Sequence, residues 1–233
     1  MEICSEKTKL MTNNISGINT EIKVNGQKLE TATSFKYLGS VITDEGSKPE
    51  ILFRIAQTTA ALTRLKPVWN DKSISLGSKI RLMRSHLHIF LYACESWTLT
   101  AEFQRRIQAM EMRCYRKILH ISYKDHVTEE GVRAKIQLAI IPYEDLLTIV
   151  KRRKLKWYGH VSRSSGLAKS ILRGTVKMGG RRQGRQKKRR EDNIKEWTDL
   201  DFAKFQGAVE NREKWRKLLV KSSVVPQRPL AEG

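Results

Sequence analysis

Apolar and polar residues alternate with a period of two only in the first fifth of the chain. Ile22-Lys23-Val24 and Gln27-Lys28-Leu29-Glu30 flank Asn25-Gly26. Asn-Gly supplies the two positive-φ positions of a type I′ turn, so this stretch predicts a β-hairpin. Residues 35–43, Phe35-Lys36-Tyr37-Leu38-Gly39-Ser40-Val41-Ile42-Thr43, predict one further strand. Beyond them the period lengthens to that of a helix.

Ser47-Lys48-Pro49-Glu50 predicts a capping box with proline in the first turn. The helix behind it carries Ile51, Ile55, Thr59, Leu62 and Leu65 on one face. Lys66-Pro67 predicts its end, with Trp69 and Asn70 in the turn. A second helix, residues 75–94, has Leu76, Ile80, Met83, Leu87, Leu91 and Cys94 as its stripe and Lys79, Arg81 and Arg84 on its polar face. A third starts at Thr100 with Phe103, Ile107, Met110, Cys114 and Ile118, opposed by Arg105, Arg106, Arg113, Arg116 and Lys117. After a break at residues 122–126, Thr128-Glu129-Glu130 opens a shorter helix ending near Leu138. Pro142 then starts a long one, with Leu146, Val150, Trp157 and Val161 on its face. A last helical pair places Ile194, Trp197, Phe202 and Phe205, then Val209, Trp215, Leu218 and Leu219. The expectation is a mainly α fold: a small N-terminal hairpin plus strand (1–45), a three-helix bundle (46–122) and a basic helical extension (123–173). A Gly/Arg/Lys-rich linker (174–190), a helical pair (191–222) and a loose tail (223–233) complete it.

Charge changes this picture, because it is uneven. The chain has 233 residues and a net charge of +21. Residues 151–200 hold 17 Lys/Arg against 4 Asp/Glu, whereas residues 1–50 hold 6 against 7. Lys151, Arg152, Arg153, Lys154 and Lys156 crowd the long helix; Arg181, Arg182, Arg185, Lys187, Lys188, Arg189 and Arg190 crowd the linker. Such a block predicts a polyanionic partner, RNA or DNA held with low sequence specificity. Lys187-Lys188-Arg189-Arg190 also reads as a nuclear-targeting tract, and the two readings are compatible. Trp69 and Trp97 read more readily as core plugs than as platforms for a base.

Other chemistry is thinly represented. The adjacent acidic pairs Asp44-Glu45, Glu129-Glu130, Glu144-Asp145 and Glu191-Asp192 fall in a turn, at helix starts or beside the basic run. Two-metal phosphoryl transfer needs carboxylates clamping ions about 3.5–4 Å apart, whereas acids in a first helical turn are explained by the macrodipole. Cys4, Cys94 and Cys114 are widely spaced and odd in number, which fits a reducing compartment and no disulfide framework. Four-ligand zinc spacing is absent, and no metal site or cofactor is expected. No apolar run approaches 18 residues and no signal-peptide layout is present, so neither a membrane span nor secretion is expected. A location in nucleus and cytoplasm is.

Several blocks, taken in order, resemble a known family. They are Phe35-Lys36-Tyr37-Leu38-Gly39, residues 50–55, Leu91-Tyr92-Ala93-Cys94-Glu95-Ser96-Trp97-Thr98-Leu99, Tyr158-Gly159-His160-Val161-Ser162-Arg163, Gly180-Arg181-Arg182-Gln183-Gly184-Arg185 and Asn211-Arg212-Glu213-Lys214-Trp215-Arg216. The sequence is similar to the end of the palm, the thumb and the C-terminal extension of non-LTR retrotransposon reverse transcriptases, in particular the endonuclease–reverse transcriptases of the RTE (BovB-like) group. That resemblance implies a primer-grip role for Phe35, Lys36, Tyr37, Leu38 and Gly39, and a helical thumb following an RNA–DNA primer–template duplex through its backbone. It also implies a missing palm, whose aspartates would bind Mg²⁺, and a missing endonuclease domain. The expectation is a part that holds nucleic acid and is not an enzyme on its own. The alternative is a co-opted helical protein-interaction module with a nuclear-targeting tract.

Overall fold

The computed structural model describes residues 8–11, 21–44, 46–140, 143–173, 190–198, 200 and 202–222. The tail (223–233) and the linker (174–190), Arg190 excepted, lie outside the described residues, as do Cys4 and the linker cations Arg181, Arg182, Arg185, Lys187, Lys188 and Arg189.

The N-terminal region is a set of two-stranded ladders. β1 (Lys9–Leu10) pairs in parallel with β4 (Glu30–Thr31). β2 (Lys23–Val24) and β3 (Gln27–Lys28) form the expected hairpin, turning at Asn25 (φ 51°) and Gly26 (φ 79°). Residues 35–43 are not one strand. They fold back as β5 (Ser34–Tyr37) and β6 (Ser40–Thr43), with Phe35 opposite Ile42 and Tyr37 opposite Ser40. Leu38 (φ 46°) and Gly39 (φ 80°) make the reversal, a second hairpin turn that lacks the Asn-Gly signature. Leu29 is the one buried hydrophobic residue described ahead of residue 46. These strands therefore have almost no core of their own.

The rest is helical: α1 (Lys48–Arg64), α2 (Lys66–Asn70), α3 (Leu76–Phe90), α4 (Ala101–Ile118), α5 (Glu129–Ala139), α6 (Leu146–Arg163), α7 (Leu167–Arg173), α8 (Arg190–Thr198), α9 (Phe202–Glu210) and α10 (Arg212–Ser222). The mainly α class is as expected. The polar residues that start these helices do so through their side chains. Ser75 accepts from Ser78 N–H at 3.3 Å, Thr100 from Phe103, Thr128 from Gly131 and Asp145 from Thr148.

Several boundaries differ from expectation. Pro67 does not leave Trp69 and Asn70 in a turn. It sits in the first turn of α2, where its missing N–H costs nothing, and the Trp69 indole donates to the Leu62 carbonyl at 2.8 Å. Ser47 makes no capping bond. Its Oγ accepts from the Thr98 amide at 2.9 Å, and Glu50 is engaged elsewhere. The second helix stops at Phe90, because Ala93 adopts a left-handed conformation (φ 56°) and a single tight turn, Cys94–Ser96, follows. The last pair of helices is three.

Two cores result, and α6 belongs to both. Leu146, Leu147 and Val150 close the first, with Ile51, Trp69, Ile80, Phe90, Trp97, Ile107, Tyr115 and Ile136. Leu155 and Tyr158, further along the same helix, join Ile194, Phe205, Val209 and Trp215 in the second. Trp197 packs against both. The bundle core thus takes in α5 and the front of α6 rather than ending near residue 122.

Candidate nucleic-acid interface

The turn between β5 and β6 is fixed to α1 by two side chains one helical turn apart. Glu50 accepts from the Val41 amide at 2.6 Å and from Arg54 Nε at 2.7 Å. Arg54 also donates to the Gly39 carbonyl at 2.6 Å, and its guanidinium lies 4.7 Å from the Tyr92 ring centroid. The Tyr92 hydroxyl donates to the Leu38 carbonyl. Arg54 and Glu50 are buried, whereas Tyr37 and Leu38 are 57% and 73% exposed. Phe35 is half-buried; Lys36 and Gly39 are exposed. An anchored turn with exposed apolar tips is the result. Tyr37 and Ile42 share one face of it by register, and Phe53, beside Arg54, adds another exposed ring.

The predicted cations divide sharply. Lys79, expected on an exposed face, is buried: its ammonium donates to the Trp69 carbonyl at 2.8 Å, at the end of α2. Lys154 is buried too, donating to the carbonyls of Glu95 (3.2 Å) and Trp97. Arg153 is half-buried and donates to the Leu91 carbonyl at 3.3 Å. Arg84 donates to the Glu144 carbonyl at 2.7 Å, and Arg152 pairs with the Glu144 carboxylate. Lys151 lies 5.6 Å from the Trp197 ring centroid. Arg106 pairs with Glu102. Arg81, Arg105, Arg113 and Lys156 are exposed. Two of the α6 cations, Arg153 and Lys154, thus satisfy the irregular backbone of residues 91–97, a role that spacing alone does not distinguish from ligand binding.

That segment has a further clamp that was not expected. Asn193, fully buried on α8, accepts from the Leu99 amide at 2.9 Å and donates to its carbonyl at 2.7 Å. A primary amide reproduces the donor–acceptor pair of a neighbouring strand.

Trp69 and Trp97 are buried core residues, which settles their role against base stacking. Tyr158-Gly159-His160-Val161 gains a physical explanation. A β-carbon at Gly159 would stand 2.1 Å from Trp215 Nε1, and that indole donates to the Leu155 carbonyl at 3.1 Å. Glycine here is the seat of Trp215.

Above that seat, α6 and α10 form a groove of about 600 Å³. Lys156, His160 and Arg163 line it from α6, at helical i, i+4, i+7 spacing; Arg212 and Arg216 face them from α10. Trp157 forms part of the wall, and Glu95 is the one carboxylate. Arg163 donates to the Val209 carbonyl at 2.9 Å. Lys156, Arg212 and Arg216 have no ion-pair partner among the described residues. His160, Arg163, Arg212 and Arg216 were not among the expected binding residues. The signal available was Arg212 and Arg216 four apart on the last helix, which means little until α10 is packed on Gly159.

Burial dominates the described titrating groups whose values shift most. Burial pushes the Cys94 thiol up to about 12 and the Cys114 thiol up to about 11. Both are held as thiols, the unreactive form. Burial also raises the Glu111 carboxyl to about 7, although it accepts from the Leu146 amide at 3.0 Å and from the Tyr115 hydroxyl at 3.1 Å. Among the described residues there is no group of three His, Cys, Asp or Glu placed to hold a metal ion, and no helix long and apolar enough to cross a membrane. Searches for similarity found no matching family model, no matching curated protein and no matching solved structure.

Proposed function

We propose that the chain holds primer and template for an RNA-directed DNA polymerase of the non-LTR retrotransposon kind. In this reading it corresponds to the palm exit, thumb and basic extension, and works beside catalytic aspartates that this sequence lacks. The observation that carries the reading is the anchoring of the Tyr37–Ser40 turn on α1. A primer grip has to present backbone and small or apolar side chains to a strand end at a fixed place. Glu50, Arg54 and Tyr92 hold the turn by its carbonyls and by Val41 N–H, leaving Leu38 and Tyr37 outward. The resembling blocks also meet in space. The first three adjoin at this turn, and the Tyr158 and Asn211 blocks adjoin at Gly159 and Trp215. Contacts of this kind position a strand without reading its sequence.

The test is a photo-crosslink from benzoylphenylalanine at Leu38 to an RNA-template/DNA-primer hybrid. The expected adduct maps to the last few primer nucleotides. Adducts spread evenly along a saturated duplex would remove the grip. The alternative, protein docking at the same place, is favoured by one observation: Tyr37, Leu38, Ile42 and Phe53 form an exposed apolar surface. It predicts no nucleic-acid adduct at this position.

A further inference from the structure

We infer that the groove between α6 and α10 is a binding site for the sugar–phosphate backbone of single-stranded nucleic acid. The inference deepens the proposed nucleic-acid function and rests on it, but uses a different surface from the turn.

Three features argue for this ligand. The first is uncommitted charge. Arg153 and Arg163 in the cleft are spent on the Leu91 and Val209 carbonyls, whereas Lys156, Arg212 and Arg216 have no carbonyl or carboxylate partner among the described residues and converge on it. The second is residue type. Four of the five permanent cations lining it, Arg153, Arg163, Arg212 and Arg216 beside Lys156, are arginines, whose planar forks match phosphate oxygens two at a time. Half-buried Trp157 adds an aromatic wall on which a base can stack. The third is shape. Gly159 seats Trp215 and lets the two helices pack closely, so the groove of about 600 Å³ is an open furrow along their contact. A furrow of this size takes a segment of one strand; a duplex could only lie across its rim. The groove continues past His160 and Arg163 to Ser164, so a strand has an exit as well as an entrance. A membrane surface fits poorly, since the apolar side chains here form a concave floor instead of a projecting face.

The experiment uses the full chain and fluorescence anisotropy with labelled oligothymidylate over a salt series. A groove variant carries Lys156→Glu, Arg212→Glu and Arg216→Glu. A control variant carries Lys72→Glu, Lys124→Glu and Lys135→Glu, exposed positions outside every proposed contact, so the basic run at 177–190 contributes equally to both. The expected result is a loss of at least about tenfold for the groove variant, with a logarithmic salt slope reduced by about 2 for three lost phosphate contacts, and a change under about threefold for the control. Equal affinity of the groove variant and the unaltered chain would overturn the groove while leaving nucleic-acid binding in place. No binding by the unaltered chain would overturn both. Displacement of the oligonucleotide by an equally charged poly-glutamate, at equal concentration, would overturn the assignment to nucleic acid. Circular dichroism checks folding, and Gln substitutions at the three positions replace Glu if the latter fails it.

Discussion

Lys154 and Lys156 stand two residues apart on one helix and do opposite work. Lys154 is 2% exposed and caps the carbonyls of Glu95 and Trp97; Lys156 faces an open groove with no partner among the described residues. The same contrast divides the molecule. Around the first core, cations complete the backbone of irregular segments: Lys79 on Trp69, Arg84 on Glu144, Arg153 on Leu91. Over the second core Lys156, Arg212 and Arg216 are left to solvent, and Arg163 meets a carbonyl, that of Val209. A count of charge along the sequence merges the two. What separates them is whether an irregular stretch of backbone, with carbonyls and no helix to satisfy them, packs against that face.

The sharpest break of this comparison is the pair Lys154→Met and Lys156→Met. Methionine keeps most of the stem but no donor. At 154 it strands two buried carbonyls that now receive charged donors, a loss of about 4 kcal/mol. At 156 the change in stability is expected within about 0.5 kcal/mol. Urea unfolding of both variants measures it. Equal losses would mean that the ammonium of Lys154 does not hold the 94–97 turn.

Glu111 sharpens the contrast from the acidic side. Its carboxyl, buried on α4, rises from an ordinary value of 4.5 to about 7. The folded chain therefore binds more protons than the unfolded chain between those pH values, and stability falls as pH rises through that window. The loss is about 3 kcal/mol at completion, on the order of the shift at 1.36 kcal/mol per unit. Glu111→Gln keeps an acceptor for the Leu146 amide and removes the titration. Its unfolding free energy is expected to exceed that of the unaltered chain above pH 7 and to lack the fall between pH 4.5 and 7. A parallel pH profile for the two proteins would contradict this.

Gly159→Ala acts on the second core alone. The new methyl would sit 2.1 Å from the Trp215 indole, and the close approach of α6 and α10 depends on that seat. Overpacking offsets the better helix propensity of alanine and leaves a net loss of about 2 kcal/mol. Hydrogen exchange should show α9 and α10 loosened while α1, α3 and α4 keep their protection. Uniform loosening would make the two cores one cooperative unit.

Much of the fold was legible in sequence, for a local reason. Helix starts at Ser75, Thr100 and Thr128, the Asn25-Gly26 hairpin and the apolar stripes of α1, α3 and α4 are set by side chains acting within a few residues. The failures are long-range. Leu38-Gly39 lacks a strong turn signature, and its reversal is held by Arg54 and Tyr92, 15 and 54 residues away. Ser47 and Glu50 match a capping box, yet Thr98 and Val41 claim their oxygens. The candidate site divides the same way. Lys36 and Tyr37 lie on β5, where a strand was expected, but Leu38 and Gly39 form a turn, and Lys79, Arg153 and Lys154 were read as surface because periodicity does not report which neighbour covers a face. Arg212 and Arg216 became visible only through the packing of α10.

The smallest expected effect tests how loosely the N-terminal strands are tied to the helices. They bury one hydrophobic residue among those described, so the β5–β6 turn depends on the hydrogen bonds from Glu50, Arg54 and Tyr92. Tyr92→Phe removes one of these at an exposed position. The cost is under about 1 kcal/mol, and global unfolding should scarcely move because the first core keeps its packing. The amide of Val41 should nevertheless exchange several-fold faster, while amides of α3, which precedes Tyr92, stay unchanged. A turn already held rigidly by Arg54 would show no such change, and the anchoring of the proposed grip would then lie entirely in the Glu50–Arg54 pair.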